Sequence, residues 1–409
     1  MSLSARLTPH VRLTLVFGIT QILLYSSSFY FPILVSGEIA EEFGTSRAVV
    51  LGAYSWAVIL NGIFAPMAGR WMERSGGRQT LVVGTLLQMT ALVMMATLPN
   101  LWGWYAAWTV LGVGMAFSYY DAAQACIGRQ LGAAARRTFV SFAMISGFVT
   151  LVGWPVSAAL NGAYGWRWTA IIYVAIHLCV TLPVHFFGIP RDPPPAPPPL
   201  PPAVMQDGGK MRRRMILLLA VFFTLRAFIS SMMNVHILLL LTGLGLSTAA
   251  GIAAAALIGP GQVASRVLDF VFGRRRTPFF SAWIGSALLP IACILPVLGA
   301  PPVLLAIGFG MSNGIQTINR GTLPLYLLGP RGIASLLGKL TFPAQIAMAM
   351  APPLTAPLIA YLPTDWVLII IALTIVAAML CLIPMKPVPD AQEGAASMET
   401  NTEQKNTKL

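Results

Sequence analysis

Charge is scarce in this chain. Of its 409 residues only 10% are Asp, Glu, Lys or Arg and 56% are hydrophobic, with a mean hydropathy of +0.75. An ordinary soluble domain carries about 25% charged residues, so a soluble globule is excluded and an integral membrane protein is expected. Cysteine is scarce too: Cys126, Cys179, Cys293 and Cys381 lie in apolar segments without paired spacing, which argues against a disulfide framework or a zinc site. His177, His185 and His236 are scattered and lack metal-ligand spacing, so a polytopic metalloenzyme has no ligand cluster to stand on. The Gly-x-x-x-x-Gly-Lys-Ser/Thr phosphate loop is missing, which leaves ATP hydrolysis without its cradle. No cofactor and no metal are expected, and energy should come from gradients. A cleavable signal is also lacking, because the apolar run from Leu13 continues through Pro32 and is long enough to span.

What is present is length and repetition of apolar runs. A window of about 20 residues gives spans near 13–36, 48–70, 79–98, 102–126, 139–160 and 166–188, then 214–241, 248–271, 278–298, 302–325, 335–360 and 365–385. Arg70-Trp-Met-Glu73-x-x-x-Gly77-Arg78 recurs as Arg266-Val-Leu-Asp269-x-x-x-Gly273-Arg274, 196 residues on. The same offset carries Gly112-Val-Gly114-Met115 onto Gly308-Phe-Gly310-Met311. One offset shared by two segments predicts an all-α membrane fold of two parallel six-helix repeats. The division is 1–188 for the first bundle, 189–213 for a proline-rich and basic linker, 214–386 for the second bundle, and 387–409 for a disordered tail. The linker prolines read as an extended spacer, with a proline-reading partner domain as the rival. Pro155 in span five and Pro343, Pro352, Pro353 and Pro357 in span eleven are expected to bend or break their helices.

The formal charge of +13 matters through its placement. Arg70, Arg74 and Arg78 follow span two, Arg129, Arg136 and Arg137 span four, Arg191 and the Lys210-Met-Arg-Arg-Arg214 cluster span six, Arg274 to Arg276 span eight, and Arg331 span ten. The opposite loops hold Arg47 and Arg167 beside Glu38, Glu41, Glu42 and Asp365. By the positive-inside rule both termini and the linker are cytoplasmic in a bacterial inner membrane. The basic excess is topological and does not call for nucleic acid.

Gly69-Arg-Trp-Met-Glu73-Arg74-Ser-Gly76-Gly-Arg78 resembles the loop signature of the major facilitator superfamily between its second and third helices, and Ser265 to Arg276 is its degenerate twin. The resemblance covers the chain to about Pro387 and implies two bundles that rock about a midplane site. It assigns a conformational role to Gly69, Glu73, Arg74, Gly77 and Arg78, and to Arg266, Asp269, Gly273 and Arg274. Their carboxylates can pair with arginines and meet helix termini of the other half, favouring the outward-facing state. The rival is that these charges only mark topology. Gly44-Thr-Ser46-Arg47 and the span that follows are similar to the bacterial monocarboxylate and oxalate/formate branch. That branch tends to carry an arginine in span eight, where this sequence reads Gly259-Pro-Gly-Gln262, so Arg226 would have to supply the charge.

Ionisable groups at membrane depth are costly and mark function by default. Arg226 in span seven is the deepest cation and Asp121 in span four the deepest carboxylate. In the resembled family spans one, four, seven and ten line the cavity. The candidate solute contacts on those spans are Arg226, Tyr25, Ser28, Tyr119, Tyr120, Asn234, Asn313 and Gln316, while Asp121, His236 and Arg320 are candidates for proton coupling or an inner gate. Asn313, Gln316 and Arg320 share a helix face, with Asn319 off it. Serine and asparagine in membrane helices also bond backbone carbonyls, so each single one has a structural alternative. The resulting expectation is a monomeric secondary transporter of a small organic anion such as a carboxylate, coupled to protons. Proton-driven efflux of drugs or metalloids is the rival, with Asp121 as the exchanging acid and Phe29, Tyr30 and Phe117 lining a greasy pocket. A non-transporting receptor on the same fold is the reading from another class.

Overall fold

The computed structural model describes residues 8–191, 202–273 and 276–387. The tail after Pro387, Arg274 and most of the proline run therefore lie outside the described residues. Twelve helical passes are present. In the first half, α1 is Pro9–Leu34, α2 Arg47–Ser75 and α3 Gly77–Thr97. Pass α4 runs as Leu101–Ser118 and Tyr120–Leu131, and the stretch Ala135–Gly188 turns back at Gly165 to give α5 (135–164) and α6 (166–188). In the second half, α7 is Pro202–Gly243, α8 Thr248–Phe272, α9 Pro278–Val297, α10 Val303–Leu328, α11 Ile333–Tyr361 and α12 Thr364–Leu380.

A helix satisfies its own peptide groups where water is absent, and the ends are set by local chemistry. Ser46, Asn100, Ser247 and Thr277 each accept a backbone N–H three residues on, which satisfies first-turn donors. Gly165 turns α5 into α6 with φ 74°, a conformation that penalises a Cβ. The four prolines of α11 do not break it, since one lost N–H bond per proline is tolerated where neighbours re-satisfy the freed carbonyl. Pass α5 is interrupted at Gly147 and Phe148, ahead of Pro155. Helix α7 also begins earlier than its apolar run. The basic cluster after Lys210 is helical, and Arg212 donates to the carbonyls of Leu328 and Arg331, both at 3.2 Å.

Apolar packing divides the molecule by height. One core cluster at the arginine-rich end draws on both halves, from Leu13, Met72 and Ile127 to Leu323, Leu336 and Met385. Toward the opposite end there are two separate clusters, one built on Leu24, Ala57 and Trp108 of the first half and one on Met233, Phe309 and Ile371 of the second. The halves are thus fused at the arginine-rich end and part toward the other. The fusion is tightest between α2 and α11. A Cβ built on Gly69 would lie 3.0 Å from the Ala334 carbonyl carbon and from Ser335 Cα, and one on Gly338 would lie 2.9 Å from the Ala65 carbonyl carbon and 3.1 Å from Pro66 Cα. Small residues let backbones touch, the usual device of membrane helix pairs.

At the open end the first half is tied by Glu42, which lies outside the spanning segments. Arg167 forms a two-pronged ion pair with it, and Trp166 Nε1 donates to it at 3.0 Å. The Arg167 bonds hold the Glu42 carboxyl below the usual carboxylate range, partly opposed by burial. A depressed folded-state pKa gives stability that is present above the unfolded value and lost as pH falls through the folded one. Arg167→Ala should therefore flatten the acid limb of thermal stability against pH. Both side chains are more than a third exposed, so the effect is small, and an unaltered acid limb would refute it.

Candidate functional site

The floor of the opening is built at a break in α4. Helical geometry stops at Tyr119, whose ψ is −174°, and restarts at Tyr120. This puts Asp121 in a first helical turn, where unbonded N–H groups favour a carboxylate. Asp121 Oδ2 accepts from Arg320 Nη2 of α10 at 3.0 Å, joining the two halves, with side chains 21% and 28% exposed. The half-chain offset carries Asp121 onto Thr317 and Gln124 onto Arg320. The counterpart contact is also made, with Gln124 Nε2 donating to the Thr317 carbonyl at 2.9 Å. A small cavity lined by Asn61, Tyr119, Asp121 and Thr341 adjoins the pair.

Aromatic side chains cover the first-half wall above that floor. Tyr25 stacks on Tyr119 with centroids 4.3 Å apart and an interplanar angle of 27°. Tyr119 is hydrogen-bonded to Ser28, which sits in a π-helical turn, Ser26–Tyr30, that rotates α1 locally. Phe29 lies edge-on to Tyr54 at 5.3 Å and Tyr30 to Trp154 at 5.5 Å. Tyr120 goes elsewhere. It stacks on Phe142 of α5 at 4.5 Å, inside the first bundle's packing.

The second half presents polar groups instead. Arg226 is 4% exposed, and its Nη2 donates to Ser312 Oγ at 2.8 Å while Nε and Nη1 are buried without a partner. Ser312 Oγ passes the bond on to the Gly285 carbonyl. No ion pair reaches Arg226 among the described residues. Asn313 Oδ1 accepts from Ser230 at 3.0 Å, and the exposed Asn234 donates to the Ser230 carbonyl at 2.9 Å. Gln316 is buried with Oε1 unpartnered, and Asn319, off that face, is 1% exposed. His236 turns toward α11, its Nε2 3.3 Å from the Pro352 carbonyl. Among the described residues no group of His, Cys, Asp and Glu is placed to hold a metal ion.

Carboxylates of the two repeated loops reach across the halves. Glu73 pairs with Arg129 through one oxygen, while Oε1 accepts the backbone N–H of Ala334 at 2.9 Å at the start of α11. Asp269 accepts from Ser281 at 2.6 Å and lies 3.8 Å from Arg136, in the first turn of α5. Gly273 packs on Asp269. Arg266 is 7% exposed and donates to the Ala143 carbonyl of α5 at 3.0 Å. Arg78 holds the Ile189 carbonyl, Gly77 packs on Cys126, and Arg74 is exposed.

The family model described as Major Facilitator Superfamily matches residues 16–338. The chain belongs to the major facilitator superfamily. Solved structures of that fold cover nearly all of it. The human organic anion transporter MFSD10 (TETRAN) is 17% identical with a TM-score of 0.70, covering 92% of this chain and 100% of its own. FucP, solved in the outward conformation, is 12% identical with a TM-score of 0.68, covering 92% and 98%. The proton:xylose symporter XylE bound to 6-bromo-6-deoxy-D-glucose is 13% identical with a TM-score of 0.64, covering 94% and 98%. No curated protein matches.

Several features of this superfamily member escaped the sequence reading. Ser312, the partner of Arg226, has no signal beyond being a serine on a cavity-lining span. His177 is buried in a second π-helical turn, His177–Thr181, and its Nε2 is 2.8 Å from Ser27 Oγ, so the irregular turns of α1 and α6 are pinned together. The α2–α11 seam did carry a signal. Ala65 and Gly69 are four apart, as are Ala334 and Gly338, the small-xxx-small spacing of close helix pairs.

Proposed function

We propose that this secondary transporter carries a small organic anion, with a carboxylate as the leading class, across a bacterial inner membrane by alternating access coupled to protons. The arginine-rich end faces the cytoplasm, both termini lie there, and the present conformation is outward-facing. The observation that carries the anion reading is Arg226. Its charge is buried at membrane depth with two nitrogens unpartnered and, among the described residues, no carboxylate paired with it, so the second half offers the cavity an unbalanced positive potential. A migrating anion that enters the cavity meets that potential. The organic anion transporter among the structural relatives points the same way.

Counterflow of radiolabelled carboxylates in proteoliposomes tests this reading. Wild type should exchange at least one carboxylate, and Arg226→Gln, which keeps a donor but removes the charge, should lower exchange by tenfold or more. Exchange of amphiphilic cations that depends on Asp121, with carboxylates inert, would replace this reading by proton-driven efflux.

A further inference from the structure

Arg226 sets the sign of the potential, but it is not the cation a solute can touch. It is buried at 4% exposure and held on the equally buried Ser312, whereas Arg320 is 28% exposed at its side chain and uses one nitrogen on Asp121. The rest of its guanidinium fork is uncommitted among the described residues and is not buried. Because the halves are fused below this level and separate above it, the exposed edge faces the opening. Tyr119 lines the same small cavity as Asp121, the partner of Arg320, and Tyr25 stacks on Tyr119. Tyr25 spends one ring face on Tyr119 and is itself only half-buried, as are Phe29, Tyr30, Tyr54 and Trp154 on the wall above.

Resting on the anion reading, we infer that the cavity floor binds an aromatic carboxylate, its ring against the open face of Tyr25, which the buried Tyr119 backs, and its carboxylate on Arg320 in the place Asp121 holds in this state. The chemistry matches group by group. A guanidinium fork prefers a planar two-oxygen acceptor. The Asp121 carboxylate already occupies that place in this state. The Tyr25 face is aromatic where aliphatic side chains would serve any greasy solute equally, and ring-on-ring packing adds to simple burial. Loading then exchanges one carboxylate for another on Arg320. It releases Asp121 from the opposite half, which uncouples the floor contact between the bundles at the moment the solute is bound.

The test is thermal stability of the purified full-length protein with benzoate, cyclohexanecarboxylate and acetate at matched concentrations. Benzoate and cyclohexanecarboxylate have the same carbon count and differ in the ring. Benzoate should bind roughly three- to tenfold more tightly than its saturated analogue, the equivalent of one aromatic pair. Tyr25→Leu should erase that preference. Arg320→Gln should remove the response to all three, with Arg320→Lys restoring part of it, and Asp121→Asn should tighten benzoate by removing the resident competitor. Equal binding of benzoate and cyclohexanecarboxylate overturns the aromatic site. So does a response that survives Arg320→Gln but is lost in Arg226→Gln, which would keep the anion reading and move the contact. Absence of any carboxylate response in wild type, with exchange of none in proteoliposomes, would defeat the anion reading itself.

Discussion

Gly338→Leu should stop the arginine-rich end from closing. The position faces backbone atoms of α2, with the Ala65 carbonyl carbon and Pro66 Cα already at 2.9 and 3.1 Å from where a Cβ would stand. No rotamer of a neighbour can relieve such a clash, so the helices must separate or the chain must favour a conformation in which they already have. Overpacking of this kind costs about 1–3 kcal/mol, which moves a two-state population by roughly 5- to 150-fold. A cysteine placed at Ala68, which is 3% exposed on the same seam, in a background without the four native cysteines should react with a thiol reagent at least fivefold faster when Gly338→Leu is added. Unchanged reactivity would mean that the seam is not what closes this end.

Glu73→Ala should act in the same direction by an electrical route. The carboxylate bridges Arg129 of its own half and the first N–H groups of α11 in the other, at 2.9 Å to Ala334 N and 3.5 Å to Ser335 N. Hydrogen bonds to a charged group contribute about 1.5–3 kcal/mol, and the helix terminus adds to the attraction. Its removal should raise the fraction open at the arginine-rich end by about tenfold or more, with Glu73→Gln intermediate because it keeps the acceptor and drops the charge. Asp269→Ala should shift the population less, since Asp269 reaches α5 only through Arg136 at 3.8 Å. Labelling of a cysteine at the opposite end, at half-buried Tyr54, should fall correspondingly in Glu73→Ala. Equal labelling of wild type and Glu73→Ala would leave the charge as a topological marker only.

Apolar runs gave the passes within a few residues, except at the basic start of α7, because burial in lipid selects on composition, which sequence displays directly. The loop carboxylates were legible as well, since a repeated motif at one offset implies a repeated place, and both reach the other half. Geometry inside the helices was not. Tyr119 interrupts α4 with neither glycine nor proline to announce it, and the π-helical turns at Ser26–Tyr30 and His177–Thr181 depend on partners 150 residues apart. Depth along the chain told that Arg226 is buried, but not that Ser312 holds it, nor that Arg320 is the more exposed of the two. Those are facts of side-chain direction across helices, which periodicity along one helix does not carry.

The two contacts at the floor are exchanged by the same offset that relates the halves, yet one is an ion pair and the other a neutral amide-to-carbonyl bond. In a dimer of identical six-helix chains that would be impossible. Any residue placed on one side of the axis would appear on the other, so a breakable charge would come in duplicate and demand two simultaneous events to release. Fusing the copies into one polypeptide lets their codons drift independently. The ion pair and the neutral bond then become separate inheritances, free to differ in how readily each one breaks.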